Sequence, residues 1–173
     1  MDAPLREFSG HVREVHNEVA FGHGEIVRAA NHVLGYAAMP AHKFPDVPPR
    51  NTVVSLQNIQ RLCEAKGLPR LWTRIAADPP HKPFASDGCS LFVNEIAKIN
   101  IYPACFFHDL KYWSGYPNST PAERLERFIA DAELMTDLAS LGVDFFIAET
   151  VFRGVRTGGG PISLPFSWGF GRV

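Results

Sequence analysis

The segment that most restricts what this chain can become is Pro103-Ala104-Cys105-Phe106-Phe107-His108-Asp109-Leu110-Lys111-Tyr112. Read as a helix, it places Cys105, His108, Asp109 and Tyr112 at i, i+3, i+4 and i+7, the stripe that a surface helix normally fills with Leu or Val to face a core. Burying a histidine and an aspartate there is costly unless a partner charge, a hydrogen bond or a metal ion compensates them. The segment therefore predicts a helix built around a site.

The other bulk properties narrow the classes. At 173 residues and 46% hydrophobic content the chain can bury one sizeable core, and a net charge of −1 sets up no whole-molecule field toward nucleic acid or an anionic membrane. Nucleic acid is not an expected partner, and partners must be read from local sites. No apolar run approaches the roughly 20 residues that cross a bilayer. The first residues carry Asp2, Arg6, Glu7, Arg13, Glu14 and Glu18, which cannot form the apolar region of a signal peptide, so a soluble chain without a cleavable export signal is expected. Three cysteines without a CxxC unit argue against a disulfide-built miniprotein, zinc or thioredoxin-like work; Cys63, beside Ile59 and Leu62, reads as a buried inert thiol.

Apolar residues recur at helical spacing at Phe8, Val12, Val15 and Val19, and again from Ile26 to Ala37, predicting two N-terminal helices. Pro40, Pro45, Pro48 and Pro49 then forbid a helix, so residues 1–50 read as a helical arm with a proline-rich extended linker and residues 51–173 as the main body. In the body, Val54 to Leu62 suggests a helix closed near Gly67, followed by a short segment over Leu71 to Ala77 and a turn-rich loop from His81 to Asn94. The His-Asp helix follows, with Pro103 in its first turn and Gly115 at its end. Thr120-Pro121-Ala122-Glu123 is a capping box opening a long helix through about Ala139. Val143 to Phe152 fits a helix or a buried strand equally, and the tail after Gly154 is glycine-rich and aromatic, suited to packing on its own domain, to a membrane interface or to a partner protein. The fold class is mainly α, with the irregular tail as its end.

In the long helix Asp131 interrupts an apolar face formed by Phe128, Leu134 and Met135. The short Tyr116 to Thr120 connection favours antiparallel packing of the two helices, which lets Asp131 reach a ring nitrogen of His108. The result is a His/Asp dyad able to take a proton from water. Asp109, about 100° further around the helix, is free for a metal ion. With Asp87 and loop carbonyls it offers hard oxygens suited to calcium, whereas the absence of HExxH or a second nearby histidine speaks against zinc. Plainer readings stand beside these: Asp131 as a solvated helix residue, Asp87 as the start of an Asp-Gly turn, His11, His16, His23, His32, His42 and His81 as surface or capping residues, and Arg153, Arg156 and Arg172 as scattered surface charge in preference to contacts with lipid phosphate.

Asp87-Gly88-Cys89-Ser90 followed by Cys105-Phe106-Phe107-His108-Asp109-Leu110-Lys111-Tyr112 resembles the secreted phospholipase A2 superfamily, most of all its prokaryotic branch, where a DxC loop precedes a CxxHDxxY helix. The likeness covers about Ser86 to Ala139. It implies a pair of antiparallel catalytic helices and calcium-dependent cleavage of the sn-2 acyl ester of glycerophospholipids at a membrane surface. His108 would be the general base, Asp131 would orient it and Tyr112 would buttress the pair, while Asp87, the Gly88 carbonyl and Asp109 would hold Ca2+. The step from Cys89 to Cys105 is similar to that of the family's disulfide between calcium loop and catalytic helix, and such a bond would suit an extracellular or particle-associated setting. The N-terminal region has no counterpart in the family. It motivates a second reading, a non-enzymatic phospholipase-like component of a secreted complex or virus-like particle, docked to a protein partner through the N-terminal arm or the C-terminal tail.

Overall fold

The computed structural model describes residues 44–89, 94–117, 120–160 and 166–173. The two helices expected before residue 40 lie outside these residues. The described chain is mainly helical: α1 (Leu56–Lys66), α2 (Pro69–Ala77), a small hairpin of β1 (Glu95–Ile96) and β2 (Ile99–Asn100), then α3 (Tyr102–Ser114), α4 (Pro121–Ser140) and α5 (Phe145–Gly158). In the hairpin Glu95 pairs with Asn100 and Ile96 with Ile99.

Local chemistry sets the helix ends. The Ser55 hydroxyl accepts the Asn58 N–H at the start of α1, and Gly67 ends it in the left-handed conformation at φ 78°. Thr120 and Glu123 form the reciprocal capping box of α4, with Pro121 at its first position. The Asp144 carboxylate caps α5 by accepting the Phe146 N–H.

The expected one-sided stripe understates α3, which is buried on every residue from Ala104 to Ser114. It is the shared axis of two apolar clusters. On one side Ile101, Cys105, Leu134, Leu138, Val151 and Phe152 join α3, α4 and α5. On the other, Ile59, Leu62, Ile75, Phe84, Phe107 and Trp113 join α3 to α1 and α2. A helix enclosed in this way cannot leave an acid or base to water, so each polar group on it needs a protein partner. Tyr112 meets Arg127, and one turn back along α3 His108 meets Asp131, one turn on along α4, so the two helices run antiparallel.

Three segments differ from the sequence-based expectation. Val54 is not helical; its N–H donates to the Phe84 carbonyl at 2.9 Å in an isolated antiparallel bridge, a pairing between residues too far apart in sequence for periodicity to reveal. The ambiguous stretch after Val143 is helix, and it continues through Gly154 to Gly158 because the turn beyond that glycine is held by contacts on its neighbours Val155 and Arg156. Residues 44–49 form neither helix nor strand and are packed on the body. Phe44 lies 6.3 Å from the Phe107 ring, Lys66 Nζ sits 3.6 Å above Phe44, and the Tyr102 hydroxyl donates to the Pro48 carbonyl at 2.8 Å.

Of the three expectations for the tail, residues 166–173 fulfil the one in which it packs on its own domain. Trp168 meets the Tyr112 ring edge-on at 5.2 Å, and the Gly169 and Gly171 N–H groups donate to the carbonyls of Tyr112 and Trp113. Gly169 has φ 80°, and a Cβ there would come within 2.7 Å of the Pro117 nitrogen, so this close approach needs glycine. Among the described residues no helix is long and apolar enough to cross a membrane.

Candidate functional site

The site lies where α3, α4, α5 and the loop at 86–89 converge. His108 Nε2 is 2.8 Å from Asp131 Oδ1, and the same oxygen accepts the Tyr112 hydroxyl at 2.7 Å. The Tyr112 ring lies 4.4 Å from the imidazole, so the two side chains, one turn apart on α3, grip Asp131 together. Asp131 is not a solvated helix residue: its exposure is 0%. Burial pushes its carboxyl up, but the hydrogen bond and charge of His108, then Arg156 and Arg127, outweigh burial and hold it below the usual carboxylate range. Burial and the neighbouring Asp131 push the Tyr112 phenol well up, which keeps it a hydrogen-bond donor.

Two arginines complete this half of the site, Arg156, which the sequence assigned elsewhere, and Arg127, which it did not single out. Arg156, read as surface charge, donates to Asp131 Oδ2 at 2.9 Å and is a correction to that expectation. Arg127 donates from Nε to the Tyr112 hydroxyl at 3.1 Å and from its other end to the carbonyls of Val155 and Arg156. A signal for Arg156 was present: it stands four residues after Phe152, on the side of α5 that carries the buried Ala148 and Phe152.

Asp109, next along α3, is also buried but points elsewhere. Its Oδ2 accepts the Ser86 hydroxyl at 2.6 Å, and Ser86 in turn accepts the Gly88 N–H at 3.1 Å. Burial raises the Asp109 carboxyl well above its usual range, partly offset by Ser86 and reinforced by the charge of Asp87. No cationic side chain among the described residues bonds to it. The loop that approaches it bends at Gly88, whose φ is 88°. Arg50 donates to the Asp87 carbonyl at 2.5 Å, and the Asn94 side-chain oxygen accepts the Cys89 N–H at 3.0 Å. A disulfide joins Cys89 to Cys105, tying this loop to the first turn of α3 across a Cα–Cα distance of 5.4 Å. Cys63 is free and buried, and burial pushes its thiol up to about 12.

The sequence-based residues thus fall in two adjoining groups, His108, Asp131 and Tyr112 in one and Asp109 with the turn of Asp87 and Gly88 in the other. The second group suits a hard cation. It offers oxygen ligands only, and a buried carboxylate whose hydrogen-bond donor is a neutral hydroxyl is the kind of charge that a cation stabilises. Among the described residues no cluster of three or more His, Cys, Asp or Glu side chains could hold a metal, so an ion here would draw on main-chain carbonyl and water oxygens as well as the two aspartates. Comparisons with known protein families, with curated proteins and with solved structures find no match for this chain.

Proposed function

We propose that the chain is a calcium-dependent hydrolase of glycerophospholipid acyl esters, of the phospholipase A2 kind. One observation carries the reading: on a single buried helix, a histidine tied through Nε2 to a buried carboxylate stands next to a second buried carboxylate bonded by a hydroxyl. The first pair is what a general base needs and the second is what a cation needs.

The chemistry follows from which atom is held. With Nε2 engaged by Asp131, His108 presents Nδ1 as its basic nitrogen. Nδ1 takes a proton from water as the water oxygen attacks the ester carbonyl, and the ionised Asp131 stabilises the imidazolium that forms. The proton then passes to the departing lipid alkoxide. General acid–base catalysis of this kind contributes roughly 10²–10⁴-fold. Tyr112 and Arg156 keep the Asp131 carboxylate from turning. Calcium, held by Asp109, the Asp87 side chain and the Gly88 carbonyl, would supply Lewis-acid stabilisation of negative charge on the substrate carbonyl oxygen.

The reading is tested by following fatty-acid release from phosphatidylcholine vesicles labelled in the sn-2 chain. His108→Asn, or chelation of calcium, is expected to abolish release. Undiminished turnover in either case overturns the mechanism.

A further inference from the structure

The carboxylate that faces His108 is gripped from behind by a helix that lies outside the recognisable motif. Asp131 Oδ1 already carries two donors, His108 Nε2 and the Tyr112 hydroxyl, both uncharged groups when the imidazole is a base. The counter-charge comes from two arginines. Arg156 reaches Oδ2 at 2.9 Å from α5, while Arg127 Nε stays 4.0 Å from the same oxygen because it is spent on Tyr112. The far end of Arg127 donates to the Val155 and Arg156 carbonyls and pins the last turn of α5. Arg156 itself lies 5.7 Å from the Phe128 ring.

We propose that Arg156 is a positioning residue for the dyad, one that keeps Asp131 an ionised acceptor and thereby fixes the single imidazole proton of His108 on Nε2. An ionised carboxylate can only accept, so the hydrogen between the two side chains must belong to the ring. A neutral Asp131 could donate instead. The pair would then have taken one proton from solvent, and the imidazole would carry its hydrogen on Nδ1, the atom that has to be bare to act as a base. In an enclosed site the guanidinium in contact with Oδ2 decides between these arrangements. The consequence for turnover rests on the hydrolase reading; the position of the proton does not.

The test is ¹⁵N-histidine NMR on the full chain in chelator, which distinguishes a protonated Nε2 from a protonated Nδ1, run beside the vesicle assay. The wild type and Arg156→Lys are expected to hold the proton on Nε2. Arg156→Gln is expected to move a large share of it to Nδ1 and to lower kcat by about 10–100-fold, with KM within about twofold, since the lost group never touches lipid. Arg153→Gln, three residues earlier and paired with Glu149 on the surface, is expected to leave the spectrum unchanged. A folded Arg156→Gln protein with the wild-type tautomer overturns the proposal, as does a loss of equal size in Arg156→Lys. Should Arg156→Gln fail to fold, Arg156→Lys decides alone, because a shifted proton there contradicts a role for the positive charge. A tautomer shift in a chain that releases no fatty acid refutes the hydrolase reading and leaves the positioning role standing.

Discussion

Calcium should stabilise the native chain, and the donors around Asp109 fix roughly how much. Two carboxylates with main-chain oxygens would make a low-charge, partly water-completed site, the composition of weak calcium modules whose Kd is on the order of 10⁻⁴–10⁻³ M. At about 10 mM calcium the ratio of ligand to Kd is then about 10–100, and RT ln(1 + [L]/Kd) gives about 1.4–2.7 kcal/mol. For a chain of this length each kcal/mol moves Tm by about 2–4 °C, so an upward shift of about 3–11 °C is expected between chelator and calcium. Magnesium at the same concentration should do less, since it demands a stiffer octahedral shell. Asp109→Asn supplies the control that makes the experiment specific. It keeps the shape and can still bond Ser86, but it removes a charge that burial opposes. The variant should therefore melt no lower than wild type in chelator and should lose the calcium shift. A wild type that does not move at 10 mM calcium, or an Asp109→Asn variant that moves as far, would refute the assignment of Asp109 to a cation.

Other outcomes follow from features away from the proposed calcium site. Lys66 and Asp137 form a buried pair at 2.9 Å, so Lys66→Ala should cost about 3–5 kcal/mol in chemical denaturation, and adding Asp137→Leu to Lys66→Met should recover most of the loss. The Cys63 thiol, pushed by burial from 9.0 to about 12, stays protonated in the native state after the unfolded thiol has ionised; stability is therefore lost as pH rises from about 9 to about 12, and the difference between wild type and Cys63→Ala should display that limb. The same thiol should resist alkylation at pH 8 until the chain is unfolded. Removing the Cys89–Cys105 bond, which closes a loop of separation 16, should cost about 3 kcal/mol by the loop-entropy relation, read as a lowered denaturation midpoint. A Cβ at Gly159 would lie 2.5 Å from the Tyr112 hydroxyl and 2.8 Å from the Val155 carbonyl, so Gly159→Ala should lower fatty-acid release by displacing Tyr112 from Asp131.

Much of α3 and α4 was legible because the signals are local. The Thr120/Glu123 box, Pro121, Gly115 and the placing of His108 and Asp131 among apolar neighbours all act within a few residues, and a short connection leaves two helices little choice but to pack side by side. Asp131 announced itself as a charge at a position that an apolar face should fill. Ser86 gave no such signal, since a serine in a turn-rich loop looks the same whether or not its hydroxyl meets Asp109. Val54 and Phe84 found each other across an interval in which no periodicity operates. Arg156 was obscured by its neighbour: Arg153 is exposed on the same helix, and a basic residue near a helix C-terminus has a ready explanation in the helix dipole. Nor could the sequence say that α3 is enclosed on all sides, because enclosure depends on α1 and α2 folding back over it.

The clasp of Gly169 and Gly171 on the last turn of α3 makes the motif helices depend on a segment distant in sequence. Lys82 donates to the Gly171 carbonyl, Trp113 Nε1 donates to the Lys82 carbonyl, and Trp168 closes on Tyr112, so a growing chain that has made both motif helices still lacks the wall behind Tyr112. The contacts around the two helices run from Arg50 to Gly171, so a chain that stops short of Gly171 lacks part of them. Any lipid-cleaving capacity would then wait until the segment bearing Trp168 has folded back onto Tyr112.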